Sequence, residues 1–267
     1  MRKQQEENCQ EVIKAIKGAG TTESTLTEIF ASRSNKQIKA LSEAYLAATG
    51  KALLHDLKGE VSGEYGKALL ILAEGKRDEG TGVDAAKAKA DAKALYEAGE
   101  KKWGTDEDKF IDILCHRSVP QLRQTLVDYK EISKKTLQES IESEMSGNLE
   151  KLLVAVVKCV KSVPAYLAEK TVQEHEIWLM SLAATVVLVS RGFRWNFKPF
   201  TTDILFAQGA GTTESILTRI IVSRSEVDLM DIRAEYKKLF GHSLYTQLES
   251  EVSGCYGDVL KRLCGQD

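Results

Sequence analysis

Gly18-Ala19-Gly20-Thr21-Thr22-Glu23 is the stretch that decides the fold, because the chain uses it more than once. It returns as Gly209-Ala210-Gly211-Thr212-Thr213-Glu214, and an altered copy reads Lys102-Trp103-Gly104-Thr105-Asp106-Glu107. An Arg stands at one fixed offset from the central Gly of each copy: Gly20 to Arg33, Gly104 to Arg117 and Gly211 to Arg224. A Glu stands at a second, longer offset that is also the same each time: Gly20 to Glu60, Gly104 to Glu144 and Gly211 to Glu251. A Ser-Gly pair closes each pattern at Ser62-Gly63, Ser146-Gly147 and Ser253-Gly254. Landmarks held in register three times define an internal repeat, in which each unit buries its apolar face against its neighbours.

Working outward from the first copy, Val12, Ile13 and Ile16 are spaced for one face of a short helix that ends at Gly18, behind a polar stretch, residues 1–10, read as frayed. Gly20 permits a turn that a side chain would obstruct. Thr21 or Thr22 is placed to cap the next helix. That helix carries Leu26, Ile29 and Phe30, matched by Phe110, Ile113 and Leu114 in the second copy and by Leu217, Ile220 and Ile221 in the third. A third helix, with Ile38, Leu41 and Tyr45, stops at Gly50. A fourth spans about 52–58, the loop Gly59-Glu60-Val61-Ser62-Gly63 follows, and a fifth covers 68–73. Each repeat therefore reads as five helices, with its two Gly-containing loops on one face of the bundle.

The units fall at 1–75, 84–160 and 161–267, with the polar, Gly-rich stretch Glu74–Val83 between the first two. The interval from Gly104 to Gly211 is longer than that from Gly20 to Gly104, and the excess is explained by a segment, about 170–204, that matches nothing in the other units.

Composition narrows the functional classes. The chain has 267 residues, 43% hydrophobic and 28% charged, enough for a substantial core. Net charge is −2 and the pI is near 6.2, so no basic field exists to hold nucleic acid or an anionic membrane unaided. Five cysteines without a CxxC pair, and the polar opening MRKQQEENCQ, read as a reducing, cytoplasmic setting without a secretory leader. The longest apolar run, Ile177–Val189, is too short to span a bilayer. It is followed by Arg191-Gly192-Phe193-Arg194-Trp195, which has the make-up of a membrane-surface segment, although a segment outside the repeat pattern is the simpler reading.

Enzyme chemistry finds no support. His55, His116, His175 and His242 show no HExxH or triad-like setting. The G-x-G-T loop lacks the Gly-Lys-Ser/Thr of a P-loop and the third Gly of a dinucleotide fingerprint. No catalytic residue is expected.

The G-x-G-T loop, the distant acid at its fixed offset and the Ser-Arg helix end together resemble the annexin repeat. The second unit departs from it in carrying Lys102 at the first Gly. The resemblance covers about 10–165 and 205–267, and the long linker after the first unit makes the chain look like repeats two, three and four of a four-repeat protein. It implies an all-α, annexin-like right-handed superhelix of five-helix repeats, three of them present. It further implies Ca²⁺ as cofactor and reversible, calcium-dependent binding to anionic phospholipid membranes with phosphatidylserine-like headgroups, the protein being cytoplasmic and peripheral on membranes when Ca²⁺ rises. Carried over residue by residue, the carbonyls of Ile16, Gly18 and Gly20 would act with the Glu60 carboxylate. Glu100, Lys102 and Gly104 would act with Glu144, and Ala207, Gly209 and Gly211 with Glu251. Minor sites would use the Thr21, Thr105 and Thr212 carbonyls with Glu23, Glu107 and Glu214.

Hard-cation chemistry agrees with such a set, since Ca²⁺ takes six to eight oxygens and a tight loop can offer several carbonyls. A Glu is ordinarily just a solvated surface charge, but the threefold return of one offset overrides that reading for Glu60, Glu144 and Glu251. For Glu23, Glu107 and Glu214 the helix dipole is an equally good explanation. Trp103, beside Lys102 at the loop tip, has the side chain suited to the headgroup boundary. Arg33, Arg117 and Arg224 read as internal ties. The rival reading is a helical-repeat interaction scaffold with inactive metal sites. Self-association, on the membrane or through the flank that a missing repeat exposes, is a further expectation.

Overall fold

A computed structural model describes residues 2–17, 22–100, 104–171, 217–252 and 254–266. Every regular element among them is a helix. The chain divides into two compact units, Arg2–Val163 and Pro164–Asp267.

The first unit holds two successive sets of five helices. The first set is α1 (Arg2–Lys17), α2 (Glu23–Ser32), α3 (Asn35–Thr49), α4 (Leu53–Glu60) and α5 (Gly63–Ala73). The second is α6 (Ala85–Ala98), α7 (Glu107–His116), α8 (Val119–Ser133), α9 (Leu137–Glu144) and α10 (Gly147–Lys161). Local chemistry sets many of the ends. Ser34 and Gln37 form a capping box at the start of α3, and Thr136 and Glu139 form another at α9, each satisfying two orphan backbone groups. Gly50 closes α3 in the left-handed conformation with φ +72°. Ser118 caps α8, whose first turn contains Pro120, where a missing N–H costs nothing.

Three local details differ from the sequence reading. Helix α1 starts at Arg2, and Asn8 and Cys9 are buried, so the opening is helical and is packed into the fold at Asn8 and Cys9. Thr22 is the N-cap residue of α2, but its side chain makes no capping bond. The expected loop Gly59–Gly63 contracts to Val61 and Ser62, because Glu60 ends α4 and Gly63 begins α5. The Ser-Gly signature has a backbone cause: Gly63, Gly147 and Gly254 all have positive φ, at 62°, 78° and 67°. A residue with a Cβ is strained there.

Helices α2 and α5 pack against α7 and α10, with α2 on α10 and α5 on both α7 and α10. Leu26, Ile29, Phe30, Leu69, Phe110, Ile113, Leu114 and Leu153 are fully or nearly fully buried in one core. Truncating a single such leucine to Ala costs about 2–5 kcal/mol, from lost transfer energy plus the cavity left behind.

The polar, Gly-rich connection between the sets is pinned at both ends. Arg77 Nη1 donates to the carbonyls of Leu114 (2.8 Å) and Arg117 (2.9 Å). Asn35 clamps the Arg77 backbone from both sides, its Nδ2 donating to the carbonyl (2.7 Å) and its Oδ1 accepting from the N–H (3.2 Å). Gln121 does the same to Asp84, with both bonds 2.9 Å. Burial lowers the affinity of Arg77 for its proton, and the two carbonyls hold its charge in place.

Helix α11 (163–171) begins at the boundary between the units, and the second unit goes on with α12 (217–224), α13 (Leu229–Phe240), α14 (Leu244–Glu251) and α15 (Gly254–Cys264). Leu217, Ile220 and Ile221 are buried, as their stripe requires. Arg233 of α13 donates to the carbonyl of Cys264 at the end of α15 (2.8 Å). Most of the unmatched segment at 170–204 lies outside the described residues.

Candidate functional site

The second copy of the loop shows how the chain assembles the site. Its base is closed by a backbone bond from Asp106 N–H to Ala98 C=O (2.9 Å). Gly104 is exposed with φ +84°, a conformation suited to Gly. Thr105 Oγ1 donates to the backbone carbonyl of Glu144 (3.0 Å), fastening the loop to the last residue of α9. Thus the loop and its distant acid, remote in sequence, are neighbours in space. Glu107 is the first residue of α7, and Glu144 is half-buried. Lys102 and Trp103 lie outside the described residues.

Glu100, just before the second loop, is tied to the neighbouring helices by its side chain. Its Oε1 accepts from Tyr129 of α8 (3.4 Å) and from Ser140 of α9. Burial pushes the Tyr129 hydroxyl up to about 12, with the Glu100 charge adding in the same direction. The sequence reading considered only the Glu100 carbonyl. A Tyr recurs at one fixed offset from each central Gly, at Tyr45, Tyr129 and Tyr236, and this was the available signal. In the first set Tyr45 donates instead to Asp56 Oδ2 (2.9 Å), the residue equivalent to Ser140.

In the first copy, Thr22 N–H donates to Ala15 C=O (3.1 Å), again closing the loop base. Ile16 is buried one residue from the end of α1, Glu23 opens α2, and Glu60 ends α4 on the surface. Tyr65 of α5 donates to the Glu23 carbonyl (3.2 Å). Gly18, Gly20 and Thr21 lie outside the described residues. So do Ala207, Gly209, Gly211, Thr212 and Glu214 of the third copy, where Glu251 ends α14. One brace common to the first and third copies is described: Thr27 meets Tyr65 (3.4 Å), and Thr218 meets Tyr256 (2.5 Å). The second copy has Ile111 and Leu149 at those positions.

The three arginines are internal ties. Arg117 grips Asp91 of α6 with Nε (2.9 Å) and Nη2 (3.1 Å). Arg224 grips Asp228 through Nε (2.6 Å) and Nη2 (2.5 Å). Arg33 donates to Asn8 of α1 (3.2 Å). Between the two sets, Lys67 of α5 pairs with Asp108 of α7, which holds the Asp108 carboxyl below its ordinary range.

Among the described residues, no three His, Cys, Asp or Glu side chains cluster as a metal cage. The donors that the second loop brings together, an exposed Gly turn and a half-buried carboxylate at a helix end, are oxygen donors, and they fit a hard cation.

Comparison with known proteins identifies the family and the fold. The annexin family model matches residues 7–72, 90–156 and 206–263. Annexin A3 of Mus musculus is 45% identical over 254 residues, covering 95% of this chain and 69% of its own. The solved structure of annexin III, 43% identical, superposes with a TM-score of 0.79 over 97% of this chain and 70% of its own. A calcium-bound annexin (Sm)1 structure, 28% identical, superposes with a TM-score of 0.74 over 98% of this chain and 70% of its own. Three matched segments, the identity to annexin A3 and the shared all-helical architecture place this chain in the annexin family.

Proposed function

We propose that the chain binds anionic phospholipid membranes reversibly and only when Ca²⁺ is present, through loops of three annexin repeats at 1–75, 84–160 and 161–267, the last interrupted at about 170–204. The observation that carries the reading is the Thr105 bond to Glu144, which fastens the second loop to the residue bearing its distant carboxylate.

In this reading the backbone carbonyls of Glu100, Lys102 and Gly104 and the carboxylate of Glu144 hold the ion at the second loop. Ile16, Gly18, Gly20 and Glu60 do so at the first, and Ala207, Gly209, Gly211 and Glu251 at the third. Thr21 with Glu23, Thr105 with Glu107, and Thr212 with Glu214 hold weaker ions. Ca²⁺, when bound, would supply a hard dication with affinity for lipid phosphate oxygens, and these residues would hold it through their oxygens. The protein residues fix the loop, neutralise part of the charge and keep the binding surface exposed. Several weak sites on one chain add by effective concentration. A net charge of −2 is then no obstacle to binding an anionic surface. Trp103 and Lys102 serve at the headgroup boundary, and the protein is cytoplasmic and peripheral. No catalytic residue is assigned.

The test is co-sedimentation of the full chain with phosphatidylserine vesicles. Pelleting with Ca²⁺ and release by chelator are expected. Equal pelleting in both conditions would sink the reading in favour of a scaffold with inactive metal sites.

A further inference from the structure

A cleft of about 480 Å³ lies between α8 and α10 and is bounded at one end by the start of α9. That volume is within the range of small-molecule sites. Its α8 wall is the stripe Arg123, Leu126, Val127, Lys130 and Glu131, positions that share one face at helical spacing. Leu126, Val127, Leu137 and Val157 make its apolar lining, and Val127 is 55% exposed despite that setting.

The lining of the cleft carries more positive than negative charge. Arg123, Lys130 and Lys161 line it with one acid, Glu131, and Glu139 in the first turn of α9 interacts with Lys130, so the cations free of a neighbouring acid are at the Arg123 and Lys161 end. Arg123 is held in place by its Nε, which donates to the carbonyl of Val160 (2.7 Å). Lys161 follows Val160 directly, so two cations share that end of the cleft. Lys130 stands roughly 10 Å farther along α8, at about 1.5 Å per residue.

We propose that this cleft binds a single-chain anionic lipid without Ca²⁺. The head, a carboxylate or a phosphate, sits at Arg123 and Lys161, where a guanidinium makes short, charge-assisted bonds to such oxyanions. The alkyl chain lies along Leu126, Val127, Leu137 and Val157. Leu137 begins α9 and Glu144 ends it, so the cleft and the proposed metal loop lie about 10 Å apart along that helix. Occupation of one leaves the other open.

The experiment is isothermal titration of the full chain in excess chelator with monomeric decanoate, decyl phosphate and, as neutral control, decanol. One saturable site for an anionic probe is expected, with decanol at least tenfold weaker. Preference for one anion supports the site and names the head it takes. Lys161→Glu weakens binding at least tenfold, and Val127→Trp, at an exposed position, fills the cleft and removes saturable binding while helical circular dichroism is unchanged. Equal affinity for decanol, no saturable anion binding, or unchanged titration of both variants overturns the proposal. Because chelator is present throughout, none of these outcomes depends on the calcium loops.

Discussion

Thr105 and Glu144, far apart in sequence, are joined by a 3.0 Å hydrogen bond from the threonine hydroxyl to the glutamate carbonyl. The bond matters to the proposed site because a loop and a distant carboxylate that are already held together bind an ion more tightly than ones the ion must first bring together. A neutral hydrogen bond of this type is worth about 1 kcal/mol net, or roughly fivefold in an equilibrium constant. Thr105→Val should therefore weaken calcium binding at the second loop about fivefold, and Thr105→Ser should restore it. Trp103 emission, read with Trp178 and Trp195 replaced by Phe, reports the titration in the presence of anionic vesicles. A Val variant that titrates like the parent removes Thr105 from the site.

The Arg117 pair with Asp91 ties the end of α7 to α6. Asp91 is 7% exposed, so deleting its partner strands a nearly buried charge. Arg117→Leu should lower unfolding free energy by about 2–4 kcal/mol, and adding Asp91→Leu should return part of that loss. Urea denaturation of the single and double variants measures both. Equal stability of parent and single variant would show that the tie contributes nothing.

Tyr129 gives the fold an alkaline limit. Its folded pKa, raised to about 12 mainly by burial, exceeds the unfolded value near 10, so folding favours the protonated phenol. The stabilisation is complete below pH 10 and is lost as pH rises through about 12. Tyr65, also raised to about 12 by burial, acts in the same direction. Tyrosinate absorbance should show these two rings silent near pH 10 and titrating together with unfolding at about pH 12. Ionisation of all eight tyrosines near pH 10 in a folded chain would contradict this.

Thiol reactivity should be sharply unequal. Cys9, Cys115, Cys159 and Cys264 are buried and Cys255 is exposed. Burial pushes the Cys115 thiol up to about 12, which suppresses its reactive thiolate. A disulfide reagent at pH 8 should modify one thiol rapidly in the folded protein and five after denaturation. A rapidly modified equivalent that persists in Cys255→Ser would contradict the assignment.

The sequence determined the repeat, the all-helical class and most helix positions, because these follow from local spacing. Apolar residues such as Leu26, Ile29 and Phe30 mark a buried face, and Gly50 ends a helix by its own conformational freedom. The recurring glycines at 63, 147 and 254 were legible as letters, and the positive φ that explains them was not. Only the tertiary structure decided what crosses the bundle. It turned the Gly-rich linker into a strap held by Arg77, Asn35 and Gln121, and it gave the Glu100 side chain partners on α8 and α9. It also assigned Thr105 a hydroxyl role where the sequence had offered only a carbonyl. The reason is physical. Helix periodicity is written within a turn or two of chain, whereas a hydrogen bond between groups as distant in sequence as Thr105 and Glu144 depends on how whole helices pack.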